Sequence, residues 1–107
     1  MGGIWGVKGL MKNLNEIKKV LAENRETLEK KYKVKTIGVF GSYVRDEQKK
    51  QSDIDILVEF KRTPDFFEFL GLEEYLAGVL GAKVDLVTKD ALKPFIGKII
   101  LEEVVYI

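Results

Sequence analysis

Apolar residues recur at three- and four-residue steps between positions 12 and 32: Leu14, Ile17, Leu21, Leu28 and Tyr32. Lysines and glutamates fill most positions between them. That period puts the apolar side chains on one face, so one amphipathic helix is expected over 12–32 with its charged face in solvent. Three β-rich runs follow, VKTIGVF at 34–40, IDILVEF at 54–60 and KVDLV at 83–87, and each reads as a strand. Residues 43–50 read as a short polar helix or turn. Thr63-Pro64 then opens a longer helix, since Thr caps well and Pro suits the first helical position. Phe66, Phe69, Leu70, Leu76 and Leu80 are expected to face inward from it, with Gly81 ending it. A last helix covers 94–103, and VVYI closes the chain.

The order α-β-α-β-α-β-α implies a small sheet with helices packed on it, an α/β (α+β) class. Alternation favours parallel strands. The short connections at 60–63 and 81–82 leave room for a mixed sheet.

With 107 residues, one domain is the expectation, placed at 12–107 behind an N-terminal extension at 1–11. The extension carries Ile4, Trp5, Val7 and Leu10, which need cover on this chain or on a second copy in a homodimer. Charged residues make up 33 % of the chain and the formal net charge is +1, so no global polycation is present to hold a nucleic-acid backbone. Cysteine and histidine are both absent. That removes disulfides, Cys or His zinc sites, Cys nucleophiles and Ser-His-Asp triads, leaving acid–base and metal chemistry to Asp, Glu, Lys and Tyr. No secretory leader and no membrane span is legible, and the expected location is the cytoplasm.

The chemistry concentrates in VFGSYVRDEQKKQSDIDILV at 39–58. Asp53 and Asp55 stand two apart at the mouth of a strand, so both carboxylates project to one side while Ile54, Ile56 and Val58 face the other. Two such carboxylates repel and raise each other's pKa, so removing one should relieve the metal-free protein. A divalent cation resolves the conflict, and oxygen ligands suit magnesium or manganese. Gly41-Ser42 follows the preceding strand. Glycine there lets a phosphate approach the backbone, and the hydroxyl and free N–H groups of the turn can bind its oxygens. Either half alone is ordinary, because strand-end aspartates need no ligand and Gly-Ser is a common turn. Together they describe the two ends of a metal-chelated triphosphate. Asp85, flanked by Val84 and Leu86, would join Asp53 and Asp55 if its strand lay beside theirs. Three carboxylates could hold two metals. The plain alternative pairs Asp85 with Lys35 or Lys83.

GSYVRDEQKKQSDIDILVEF at 41–60, KVDLV at 83–87 and the closing ALKPFIGKIILEEVVYI resemble the nucleotidyltransferase superfamily of DNA polymerase beta, in its minimal (MNT) form. The resemblance spans residues 12–107. It implies transfer of AMP from ATP to a hydroxyl, with Asp53, Asp55 and Asp85 as catalytic metal ligands. Gly41 and Ser42 match the phosphate motif, and Arg45 matches a basic residue that reaches a phosphate. Minimal members are often antitoxins of HEPN-type toxins, some of which they inactivate by adding AMP to a tyrosine. The chain has no room for a domain that would hold an acceptor, which fits an acceptor on another protein. The second reading is a binding module of the same fold that blocks a toxin by contact alone.

Overall fold

Asn13 starts the first helix by accepting a hydrogen bond from the Glu16 N–H through its side chain, at 2.9 Å. The computed structural model describes residues 13–48 and 52–107. The extension at 1–11, with the cover expected for it on this chain or in a homodimer, and the far end of the polar segment at 43–50 lie outside the described residues. Helices α1 (Leu14–Glu23) and α2 (Arg25–Lys30) lead into β1 (Val34–Phe40). A 3₁₀ turn over Gly41–Tyr43 follows, then β2 (Ile54–Phe60), α3 (Phe66–Leu80) and β3 (Val84–Thr88). A second 3₁₀ turn, α4 (Pro94–Glu103) and the short β4 (Val105–Tyr106) complete the fold.

The sheet has four strands in the order β3-β2-β1-β4 and is mixed. β1 runs antiparallel to β2 and to β4, while β2 and β3 are parallel. One face carries Val34, Ile37, Val39, Ile54, Ile56, Val58, Val84 and Leu86 against Ile17, Leu21, Leu28, Leu72, Leu76 and Leu80 of the helices. Each large aliphatic side chain buried there contributes roughly 1.5–3 kcal/mol relative to exposure. The opposite face carries Asp55, Leu57 and Asp85. Part of it is closed by the C-terminal segment: a Cβ on Gly38 would overlap Val104, so this segment approaches the sheet as only glycine permits.

Three expectations need correction. The single helix over 12–32 breaks at Asn24, whose side chain donates to the Val20 carbonyl at 2.8 Å and accepts from the Tyr75 hydroxyl. Such local side-chain bonds compete with the helix ladder, and apolar periodicity does not register them. The start of α3 is not Thr63-Pro64. Asp65 caps it, with the Glu68 N–H donating to its side chain at 2.7 Å and its own N–H donating to Glu68 at 3.0 Å. This reciprocal box satisfies two free backbone donors, which Thr63 cannot do. Phe66, expected inward, is the first residue of α3 and is 69 % exposed, and Leu72 takes a core place instead.

Candidate active site

The antiparallel register sets Phe40, the last residue of β1, opposite Asp55 near the start of β2. The parallel register sets Asp55 beside Asp85. The end of one strand and the beginnings of two others therefore meet at one edge of the sheet. In wholly parallel sheets ligands gather at the carboxyl ends of the strands. Here the β1–β2 pair is antiparallel, so the cluster lies at the carboxyl end of β1 and the amino ends of β2 and β3.

The chain leaves β1 through Gly41, whose φ is 80°, in the left-handed region that favours glycine. Its carbonyl accepts from the N–H groups of Val44 at 3.0 Å and Arg45 at 3.2 Å, which closes the turn. A Cβ on Gly41 would run into the Asp55 carboxylate, so the turn and this carboxylate are in direct contact. Ser42 is half-buried beside it, with its carbonyl accepting from Glu47 N–H at 2.8 Å. Tyr43 is buried and donates its hydroxyl to the Ser52 carbonyl at 3.4 Å. It thus spans the loop just ahead of Asp53. Burial, with the Asp53 charge added, pushes the Tyr43 hydroxyl above its ordinary pKa. Arg45 is exposed, and its guanidinium bonds Glu47 at 2.7 Å and both oxygens of Glu103 at 2.9 and 3.1 Å.

Asp55 is the group whose chemistry the site changes most. Burial comes first, then the charges of Asp85 and Asp53, and together they raise its carboxyl to about 6 although Arg45 pulls it down. A carboxyl raised in the folded state binds more protons than in the unfolded chain between pH ~4 and ~6. Stability of the metal-free protein therefore falls as pH rises across that window, the reverse of an ion-paired aspartate. Asp55 retains solvent contact, so screening reduces the effect to roughly 1–2 kcal/mol. Urea unfolding at pH 4.5 and 7 without divalent cations measures it. The expected sign is the higher midpoint at pH 4.5 from Asp55, and Asp55→Asn should remove that difference.

Asp55 and Asp85 stand side by side, Asp53 is near enough for its charge to act on Asp55, and Gly41 touches the same carboxylate. Ser42 and Arg45 flank the turn. Among the described residues, no three acidic side chains approach closely enough to make a complete metal cage. Magnesium typically takes only one or two protein carboxylates and fills its shell from phosphate and water, so the donor set fits a cation delivered with a triphosphate. The alternative partner for Asp85 is not formed with Lys35, which lies 4.0 Å from Glu59. Sequence reasoning missed Tyr43 and Glu103. A tyrosine directly after Gly-Ser was a visible signal, while Glu103 lies 58 positions from Arg45 and left none. A cavity of about 580 Å³, lined by Phe60, Arg62, Phe66 and Thr88 among others, opens at the opposite end of β2 and β3. It holds none of these groups.

Residues 21–107 match the nucleotidyltransferase domain family. The chain belongs to that family. This nucleotidyltransferase is 50 % identical over 97 residues to the protein adenylyltransferase MntA of Thermococcus cleftensis, a match covering 91 % of the chain and 98 % of MntA. Its structure is similar to that of a toxin–antitoxin solved with AMP-PNP, at TM-score 0.65 and 30 % identity over 89 % of this chain and 72 % of that one. It is also similar to a chain from the complex of a tri-AMPylated Shewanella oneidensis HEPN toxin with its MNT antitoxin. There the TM-score is 0.55 and the identity 28 %, over 86 % of this chain and 66 % of the other. Its small mixed sheet with helices is thus the fold of the minimal nucleotidyltransferases. Among the described residues no helix is long and apolar enough to cross a membrane.

Proposed function

We propose that this nucleotidyltransferase transfers AMP from ATP to a hydroxyl on a partner protein, a HEPN-type toxin, and acts in the cytoplasm as the antitoxin of the pair. The observation that carries the reading is the contact of the Asp55 carboxylate with the Gly41 turn on one side and Asp85 on the other. It sets a phosphate-binding turn against paired carboxylates. One or two of the carboxylates Asp53, Asp55 and Asp85 would hold a divalent cation, magnesium or manganese, with phosphate and water completing its shell, and when bound it neutralises phosphate charge and eases deprotonation of the attacking hydroxyl.

Gly41 and Ser42 cradle the β- and γ-phosphates with backbone N–H groups and a hydroxyl. Arg45 faces the charge that builds on them as the bond to the α-phosphorus breaks. Asp85 is exposed and so open to an incoming acceptor. It accepts the proton of the acceptor hydroxyl, whose oxygen attacks the α-phosphorus, and pyrophosphate leaves with the electron pair of the broken P–O bond. No histidine exists to take this proton. A tyrosine on the partner is the acceptor this arrangement suits, since AMP there adds bulk and negative charge that repels RNA phosphates.

A second reading, inhibition by contact alone, draws support from α4 and β4. Phe95, Ile96, Ile99, Leu101 and Tyr106 are all more than 40 % exposed, a surface that a partner could cover. Mass spectrometry of the toxin after incubation with Mg-ATP separates the two. The expected result is one or more additions of AMP mass that disappear with Asp85→Ala. A toxin neutralised at unchanged mass, and equally well by Asp85→Ala, would establish the contact mechanism instead.

A further inference from the structure

Arg45 is the one cation assigned to the phosphates, yet it stands on an exposed turn next to Asp46, itself at φ 57°. A free arginine in such a place samples many rotamers, and ordering it on a ligand costs affinity. The structure removes much of that freedom. Glu47 takes Nε at 2.7 Å, and Glu103 takes Nη1 with both oxygens at 2.9 and 3.1 Å. Neither glutamate bonds Nη2, so a ligand can take that nitrogen with both carboxylates in place. Glu103 is itself fixed. It ends α4, Val104 after it packs against Gly38, and Val105 pairs with Val39. Its side chain is only 19 % exposed, against 51 % for Arg45.

We infer that Glu103 is a positioning residue for the nucleotide: from the corner between α4 and β4 it holds Arg45 ready for the triphosphate, with Glu47 as a second, local clamp. The inference rests on the proposed function and adds to it a residue from the C-terminal segment, far from the Gly-Ser and Asp-x-Asp motifs. The charge of Arg45 acts on Asp55 in this clamped position, so the guanidinium already belongs to the electrostatic field of the site. The same carboxylate could instead compete with phosphate for Arg45. That neither glutamate bonds Nη2 favours support over competition, since a ligand can bind there without displacing either one.

Titration calorimetry with Mg-AMP-PNP on the full chain decides. Glu103→Gln keeps the shape and removes the charge, and should weaken binding about 3- to 10-fold, in line with the loss of one charge-assisted pair. Glu47→Gln should act in the same direction and less. In the Arg45→Ala background Glu103→Gln should change nothing further, a coupling that a merely structural role for Glu103 would not produce. Parent-like binding by Glu103→Gln overturns the inference alone, and tighter binding makes Glu103 a competitor. A parent that binds no Mg-AMP-PNP overturns the nucleotide reading together with it.

Discussion

Asp55→Asn lowers AMP transfer by at least about 10³-fold and raises the thermal midpoint of the metal-free protein at pH 7. The first effect follows from removing one of two adjacent carboxylates that would hold the cation, a loss worth about 4 kcal/mol in the transition state. The second follows from the environment of Asp55. Its carboxylate is half-buried, stands beside Asp85 and is raised to about 6, so at pH 7 the fold carries a charge it would rather shed. The neutral amide has nearly the same shape and removes that cost, and roughly 1 kcal/mol translates to a rise of about 4–8 °C in a domain of this size. Mg-ATP should stabilise the parent and not the variant, because only the parent completes a site around it. Thermal shift with and without Mg-ATP, beside a transfer assay, reads all three quantities. A variant that responds to Mg-ATP as the parent does would remove Asp55 from the site. Strand spacing alone could not say which of Asp53 and Asp55 bears the larger cost. Burial against the Gly41 turn and the register with Asp85 identify Asp55.

The sheet, its three main strands and the place of the candidate site were legible because they depend on local pattern. Ile54, Ile56 and Val58 alternate with Asp55, and period two alone assigns them to opposite faces. The neighbourhood of Asp55 and Asp85 was legible only conditionally, as a consequence of β3 lying beside β2. No local pattern fixes the partner of a strand, and the parallel register is set by how α3 returns the chain across the core face. Asn24 shows a different limit. Leu21 and Leu28 keep helical spacing across it, so periodicity runs straight through a break made by one side chain and the Tyr75 hydroxyl. Glu103 shows a third. Its partner is 58 residues away, and nothing about a glutamate at the end of an amphipathic helix distinguishes it from a solvated one. What depends on a single long-range polar contact stayed hidden, while repeated apolar placement was legible except in α3, where Phe66 is exposed and Leu72 is buried.

Gly41→Ala should cost both stability and nearly all transfer activity, and Gly81→Ala is its control. Both glycines lie in the left-handed region, at φ 80° and 65°. An alanine there is strained by roughly 1–2 kcal/mol at either position. The two differ in what the new methyl meets. Around Gly81, at the end of α3, nothing lies within 4 Å, so strain is the whole effect and transfer should stay near the parent rate. At Gly41 the methyl falls on the Asp55 carboxylate, which is backed by the buried strand β2 and cannot withdraw along it. Either the turn lifts away or the carboxylate swings off Asp85, and both separate the phosphate cradle from the acidic pair. Misplacement by about 1 Å is enough to cost on the order of 10²-fold in rate. Urea unfolding should therefore show a loss for both variants, larger for Gly41→Ala because the overlap with Asp55 adds to the strain, while the transfer assay separates them by that factor or more. If Gly41→Ala transfers AMP as fast as Gly81→Ala, the contact between the turn and Asp55 is structural only, and the phosphates must be held elsewhere.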